Sequence, residues 1–172
     1  MWVEQDYFGA LLFTRLMGPR VMNVSVANSD TVRAWGHCSG VGTATVNATS
    51  STTPSDNRGS ISNNDLTLLL LNLLNDTNTV DLSQAAWSGA AAVSSALRSD
   101  YILTPSSATK VVSEPSELLK TDVVNLNGRP LEMIGDEVPA LEGEEVTGRS
   151  VATLKLPPFA VAFVVVSNAA VC

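Results

Sequence analysis

The chain has 172 residues, 45% of them hydrophobic and 16% charged, and carries a formal net charge of −7. That length supports one domain with a real core rather than two, and the apolar content excludes wholesale disorder. The acidic balance, with only ten scattered basic residues, argues against a nucleic-acid surface and against an electrostatic hold on sulfated polyanions or anionic lipid.

The first residues show no basic stretch followed by an apolar run and a cleavage site, so no signal peptide is read. Neither long apolar run, residues 66–74 or 159–166, reaches the ~20 residues that span a bilayer. For an exported protein the expectation is then an N-terminus upstream of Met1. Residues 7–17 predict a helix, because Phe8, Leu11, Leu12 and Leu16 recur at helical spacing. Asp6 can cap its start, Gly18 can end it and Pro19 prevents continuation. Ala10, Phe13 and Met17 widen the apolar face. Such a helix requires partners on more than one side, and little else in the chain looks able to supply them.

After Pro19 the period becomes two. Met22, Val24 and Val26 alternate with Val21, Asn23 and Ser25, and residues 31–38 form the next strand candidate. Residues 40–62, rich in Ser, Thr, Asn and Gly, read as a long exposed loop. Residues 65–74 read as a buried strand and 79–82 as a short one, while 84–97, alanine- and serine-rich around Trp87, fit a short helix or a loop. Residues 100–103 are short and β-prone. The clearest hairpin joins 121–126 to 129–134 through Asn127-Gly128, a pair suited to a type I′ turn because it accepts two positive φ values. Residues 135–150 are acidic and loop-like, and 151–156 and 159–167 close the chain as strands. About eight short strands separated by turn signals predict a mostly β fold, an antiparallel β-sandwich preceded by one helix.

Candidate chemistry is sparse. A metal site needs clustered ligands, the single histidine is His37, and no glycine-rich phosphate loop is present, so neither metal nor cofactor is expected. His37 reads as a strand histidine beside Cys38, without the partners of a catalytic triad. Retaining glycosidases need two carboxyl groups about 5–5.5 Å apart. Glu142, Glu144 and Glu145 lie in an acidic loop without apolar neighbours, and Glu4 and Asp6 flank a helix start, where negative charge suits the dipole. All five read as solvated or capping groups. Trp2, Trp35 and Trp87 are widely separated, which counts against a sugar-binding platform.

The two cysteines, Cys38 and Cys172, admit two readings. One is a disulfide that ties the end of the chain to an early strand, stabilising by at most roughly 4–5 kcal/mol and requiring an oxidising compartment. The other is a pair of buried thiols acting as small hydrophobes. Three glycan-acceptor triplets, Asn23-Val24-Ser25, Asn47-Ala48-Thr49 and Asn75-Asp76-Thr77, point to the same oxidising compartment and favour the disulfide. Asn47 lies in the polar loop, Asn75 just past a strand and Asn23 within one.

Six stretches, taken in order, carry a family likeness. They are Asp6-Tyr-Phe-Gly-Ala-Leu-Leu-Phe-Thr-Arg-Leu-Met-Gly18, Val32-Arg-Ala-Trp-Gly-His-Cys38, Asp65-Leu-Thr-Leu-Leu-Leu-Leu-Asn-Leu73, Tyr101-Ile-Leu-Thr-Pro105, Val124-Asn-Leu-Asn-Gly-Arg-Pro-Leu131 and Leu156-Pro-Pro-Phe-Ala-Val-Ala-Phe-Val164. Together the sequence resembles the C-terminal part of heparanase-like proteins, the family 79 glycoside hydrolases, most closely the plant-type members.

The resemblance implies that residues 1–19 are the last helix of a (β/α)₈ barrel. Residues 20–172 would then be a β-sandwich packed on that barrel, with a polar loop at 40–62, and the barrel would be the missing partner of the helix. It implies a disulfide between Cys38 and Cys172. It also implies retaining cleavage of β-glucuronide linkages in proteoglycan-type glycans, by an acid/base glutamate that follows an asparagine and by a second, nucleophilic glutamate. The chain contains no Asn-Glu dipeptide, so no catalytic residue is assigned here, both glutamates are expected upstream of Met1, and the chain alone is expected to be inactive. In the family the sandwich also receives a strand from the N-terminal part of the precursor. The implied partners are the upstream barrel and, through it, the glycan. The implied location is secreted, lysosomal or vacuolar, with peripheral membrane association. Residues 40–62 and 85–96 depart from the family pattern. A reading from another class is a secreted, non-catalytic β-sandwich that binds a glycan or a protein partner.

Overall fold

The computed structural model describes residues 5–39, 65–83, 97–106, 123–133, 137–148, 152–167, 169, 171 and 172. One helix, α1 (Gln5–Leu16), precedes ten strands among these residues: β1 (Arg20–Met22), β2 (Val32–Ser39), β3 (Asp65–Asn72), β4 (Asn78–Asp81), β5 (Leu97–Pro105), β6 (Val124–Leu126), β7 (Arg129–Leu131), β8 (Glu144–Thr147), β9 (Thr153–Leu156) and β10 (Val161–Val166). The main sheet runs β1-β2-β3-β10-β5-β6-β7, with β8 also paired to β5, and β4 and β9 form a second, two-stranded sheet. Every pairing is antiparallel. The alternation read from the sequence thus gives an antiparallel β-sandwich preceded by a helix.

β10 lies between β3 and β5. Ala162, Val164 and Val166 enter one core with Leu66, Leu68 and Leu70 of β3 and Leu154 and Leu156 of β9. Phe163 and Val165 enter a second core with Phe8, Leu12 and Leu16 of α1, Leu103 of β5 and Val124 and Leu126 of β6. A strand buried on both faces cannot alternate apolar with polar, so β3 and β10 read as continuous apolar runs. Phe8, Leu12 and Leu16 are at most 6% exposed, each contributing about 1.5–3 kcal/mol of transfer free energy. The expectation that little else in the chain could partner the helix is therefore corrected for this one stripe, which the main sheet covers.

The end of α1 is tied to the same sheet. Thr67 Oγ1 donates to the Leu16 carbonyl at 2.9 Å, and His37 Nδ1–H donates to the Gly18 carbonyl at 2.5 Å. The first bond satisfies a carbonyl that the helix end leaves open, and the second holds the turn that follows it. Asn72, 2% exposed, joins three segments. Its Nδ2 donates to the carbonyls of Asp76 and Pro157, both at 2.8 Å, and its Oδ1 accepts from Leu74 N–H at 3.1 Å and Asn78 Nδ2 at 2.8 Å. The polar group thereby locks β3 to the β3–β4 turn and to the end of β9. Cys38 of β2 and Cys172 form a disulfide with Cα atoms 5.5 Å apart across 134 residues. Arg20 Nη1 donates to the Cys172 carbonyl at 3.0 Å beside it.

β5 is longer than the expected 100–103 because both of its halves are paired on the edge away from β10. Residues 97–100 pair with β8, and residues 103–105 pair with β6. The junction is filled by Asn127. Its backbone N–H donates to the Ile102 carbonyl, its Oδ1 accepts from Ile102 N–H at 2.8 Å, and its Nδ2 donates to the Asp100 carbonyl at 2.9 Å. The side-chain amide stands in for a missing peptide. Asn127 and Gly128 have φ of 50° and 77°, as an Asn-Gly hairpin turn requires. The acidic segment 135–150 was expected to be loop, yet it contains β8. Among Glu144–Thr147 only Val146 packs on a core, and the other three side chains are exposed, so an edge strand held mainly by backbone pairing leaves almost no apolar period to read. The expected polar loop at 40–62 and the ambiguous 84–96 lie outside the described residues.

Arg98 and Asp100, two residues apart on one face of β5, form a buried bidentate ion pair with both N···O distances 2.8 Å, and Arg98 Nη1 reaches the Thr153 carbonyl of β9 at 3.1 Å. Burial pushes the Asp100 carboxyl above its ordinary value of 3.8, against the opposing pull of Arg98, and Glu144 directly opposite on β8 adds to the rise. A native pKa above the unfolded one means that the folded state holds more protons in this window. Stability therefore falls as pH rises from 3.8 through the native value. Glu144→Gln is expected to shrink that fall and to raise stability at neutral pH by about 0.2–1 kcal/mol. The two proteins should converge in acid where Asp100 is protonated, as followed by urea unfolding across pH. Asn127→Gly keeps the turn backbone but removes the peptide-like amide, and should cost about 1–3 kcal/mol in the same assay. Asn127→Asp should cost more at neutral pH, because it sets a carboxylate against the Asp100 carbonyl.

Candidate docking face

α1 lies over β10 and β5 and, among the described residues, leaves the neighbouring part of the same sheet face bare. Trp35 is paired with Leu69, His37 with Thr67 and Val21 with His37. Leu69 and Thr67 point to the α1 side, so Val21, Trp35 and His37 do as well. Val21 is 69% exposed, Trp35 45% and, on the outer side of the helix, Phe13 43%. The Phe13 ring meets the His37 ring edge-on, with centroids 6.0 Å apart, and makes the helix and strand surfaces continuous. Between α1 and the ends of β3 and β10 runs an open, mostly apolar groove of about 640 Å³, lined by Gly9, Ala10 and Phe13 from the helix and by Leu71, Leu73 and Phe159 from the sheet side.

Two residues in this groove break local rules without an internal reason. Gly9 sits inside α1, where glycine costs about 1 kcal/mol against alanine, yet a Cβ there would meet nothing within 4 Å. Phe159 has φ of 51°. It occupies a left-handed turn position, closed by Ala160 N–H to the Pro157 carbonyl at 3.3 Å, where glycine is the usual residue. A bulky residue in this region costs about 1–3 kcal/mol. A contiguous apolar surface of this kind marks an interaction site. A bare glycine and a strained aromatic ring at its centre fit a partner that approaches closely.

On the opposite side of the main sheet a second, more polar cleft of about 1080 Å³ opens between residues 23–31 and β4, with Ala34, Leu68 and Leu70 among its walls. Among the described residues β4 pairs only with β9, so its other edge faces this cleft with ladder groups unpaired.

The remaining candidates from the sequence do not gather. Glu142, Glu144 and Glu145 are all exposed on and before β8, and Asp6 lies in the first turn of α1. His37 serves the helix end. Asn75 is exposed in the β3–β4 turn, and Asn23 is exposed one residue past β1. Asn47, Trp2, Trp87 and Glu4 lie outside the described residues. Among the described residues no three His, Cys, Asp or Glu side chains come together in a metal-holding group, and no helix is long and apolar enough to cross a membrane. Sequence reasoning foresaw the over-apolar helix. It missed Val21 and Trp35 as parts of the same face, because only the register of β1, β2 and β3 brings them to the side of α1.

The architecture is an antiparallel sandwich with two cores and one preceding helix, and part of its apolar surface stays exposed. No protein-family model matches the chain. It is 33% identical over 167 residues to heparanase of Gallus gallus, covering 95% of this chain and 26% of that protein. It is 30% identical to inactive heparanase-2 of Homo sapiens, covering 95% of this chain and 24% of the relative, and 30% identical to heparanase of Bos taurus, covering 96% and 25%. The chain belongs with the heparanase-like proteins and corresponds to their C-terminal portion only. It spans about a quarter of the length of these relatives.

If the face is a docking surface rather than core, Phe13→Ser with Trp35→Ser should leave the stability of the isolated chain within about 1 kcal/mol. The same change should sharply reduce binding of an apolar fluorescent dye and self-association. A stability loss several-fold larger would mean that these side chains pack internally.

Proposed function

We propose that the chain is the accessory, C-terminal part of a heparanase-like retaining β-glucuronidase acting on proteoglycan-type glycans. Residues 1–19 would form the last helix of a (β/α)₈ barrel and residues 20–172 the sandwich that buttresses it. The reading is carried by the bare apolar face around the α1 groove. The barrel is its occupant, because the relatives are about four times as long as this chain and the face is unused among the described residues. The chemistry belongs to two glutamates on the barrel, one acting as acid/base and the other as nucleophile. The sandwich supplies rigid support and no reacting group.

The cleft beside β4 suits the family's additional strand. It has an apolar wall and, among the described residues, a β4 edge without a second strand, so a further strand would extend the second sheet by main-chain pairing. The disulfide, and acceptor sites at Asn75 and Asn47, fit a secreted, lysosomal or vacuolar protein, with peripheral attachment to membranes as a property of the assembled protein.

The isolated chain is expected to release nothing above blank from an aryl β-glucuronide. Co-expressed with the barrel region of the longer protein, it should co-purify and restore turnover. Gly9→Leu should abolish that co-purification while leaving the isolated chain as stable as, or more stable than, the parent. Turnover by the chain alone would overturn the assignment of the carboxylates to the barrel. Undiminished association of Gly9→Leu would overturn the groove as the docking seat.

A further inference from the structure

We propose that Asn23 is an N-glycosylation site whose glycan leaves the fold on the side opposite the docking face. The acceptor triplet Asn23-Val24-Ser25 is short, and as a pattern alone it is weak. The fold adds three observations. First, β1 ends at Met22, so the acceptor lies past the paired strand and not inside it, as the alternation had suggested. Second, Asn23 and Ser25 are both exposed, while Met22, Val24 and Val26 between them pack on the core shared with β9. Val24 lies directly over Gly36 of β2, where an added Cβ would fall 2.5 Å from its Cγ2. The buried residues thus hold the segment in place, and the triplet's two reacting side chains point to solvent. Third, the Asn23 carboxamide has no hydrogen-bond partner among the described residues, in contrast to Asn72 and Asn127, whose amides are committed to the fold.

The direction follows from the two cores. Asn23 and Ser25 line the cleft beside β4 together with Leu68, Leu70 and Leu82 of the β9-side core, whereas α1, Trp35 and the apolar groove lie across the main sheet on the other face. A glycan at Asn23 is therefore compatible with a partner seated on α1. In the transfer, Asn23 Nδ2 forms a bond to the anomeric carbon of the first N-acetylglucosamine of a lipid-linked oligosaccharide pyrophosphate. The bond from that carbon to the pyrophosphate oxygen breaks, the lipid pyrophosphate departs with the electron pair, and the amide gives up one proton. The Ser25 hydroxyl completes the acceptor.

The whole chain, led into the secretory pathway of a eukaryotic host, provides the test. Enzymatic deglycosylation in heavy-oxygen water converts each occupied asparagine to a labelled aspartate, which peptide mass mapping locates without any variant. The expected result is label at Asn23, loss of one glycan in both Asn23→Gln and Ser25→Ala, and retention in Ser25→Thr. An unlabelled Asn23 peptide beside a labelled Asn75 peptide would overturn the site and leave the secretory reading standing. Absence of label at every acceptor, with Cys38 and Cys172 unlinked, would overturn both.

Discussion

The structure depends on one strand being wanted by two cores at once. β10 places Phe163 and Val165 under α1 while Ala162, Val164 and Val166 face β9. Its two neighbours, β3 and β5, complete its hydrogen bonding along the whole length from 161 to 166. Everything else is arranged by that arrangement. The helix must lie on one side, the two-stranded sheet must lie on the other, and the polar residues that enter the interior must do so where segments meet rather than within the stack. Asn72 and the Arg98–Asp100 pair sit at such junctions and bridge the main sheet to β9 or to the turn that follows it. A buried ion pair is a poor source of net stability, since desolvation offsets much of its attraction. Its geometry toward the Thr153 carbonyl does fix where β9 runs.

The same constraint explains why the helix cannot finish the job it starts. One helix roughly 10 Å wide covers about two strands spaced 4.7–4.9 Å apart, and the main sheet has seven strands in its path. With α1 drawn onto β10 and β5 by Phe8, Leu12 and Leu16, the side chains of β1 and β2 on that face are left without a full layer above them among the described residues. Val21 and Trp35 stay in solvent, and so does the outer side of the helix itself. Gly9 and Phe159 depart from local preference beside that face. Each costs free energy in the isolated fold, and the two meet in one groove. Local violations of this kind, clustered in space but not in sequence, are where functional surfaces are found.

How much of this was legible follows from where each element draws its stability. β3 and β10 could be read because double burial writes a run of Leu or Val into the sequence, and the Asn127-Gly128 turn could be read because two positive φ values admit few residues. α1 was legible as a helix, and its excess of apolar residues as a need for a further partner. β8 was not, since Glu144, Glu145 and Thr147 are exposed and the strand exists by main-chain pairing to β5. The second task of Asn127, as a substitute peptide between β8 and β6, was equally hidden. It depends on two strands leaving the same edge of β5 at adjacent positions, a fact of topology rather than of local sequence. Trp35 looked isolated in the chain because the face it shares with Val21 and Phe13 is made by the register of β1 and β2 and the docking of α1, not by spacing.

The two-faced sheet sets a demand of its own on this chain. A substitution at Val164 or Leu68 disturbs one core directly and, through the shared strands, tilts the platform on which the other core and α1 rest, whether or not a glycosidic bond is ever cut. The two cores are therefore coupled through β3 and β10, and neither can be repacked alone.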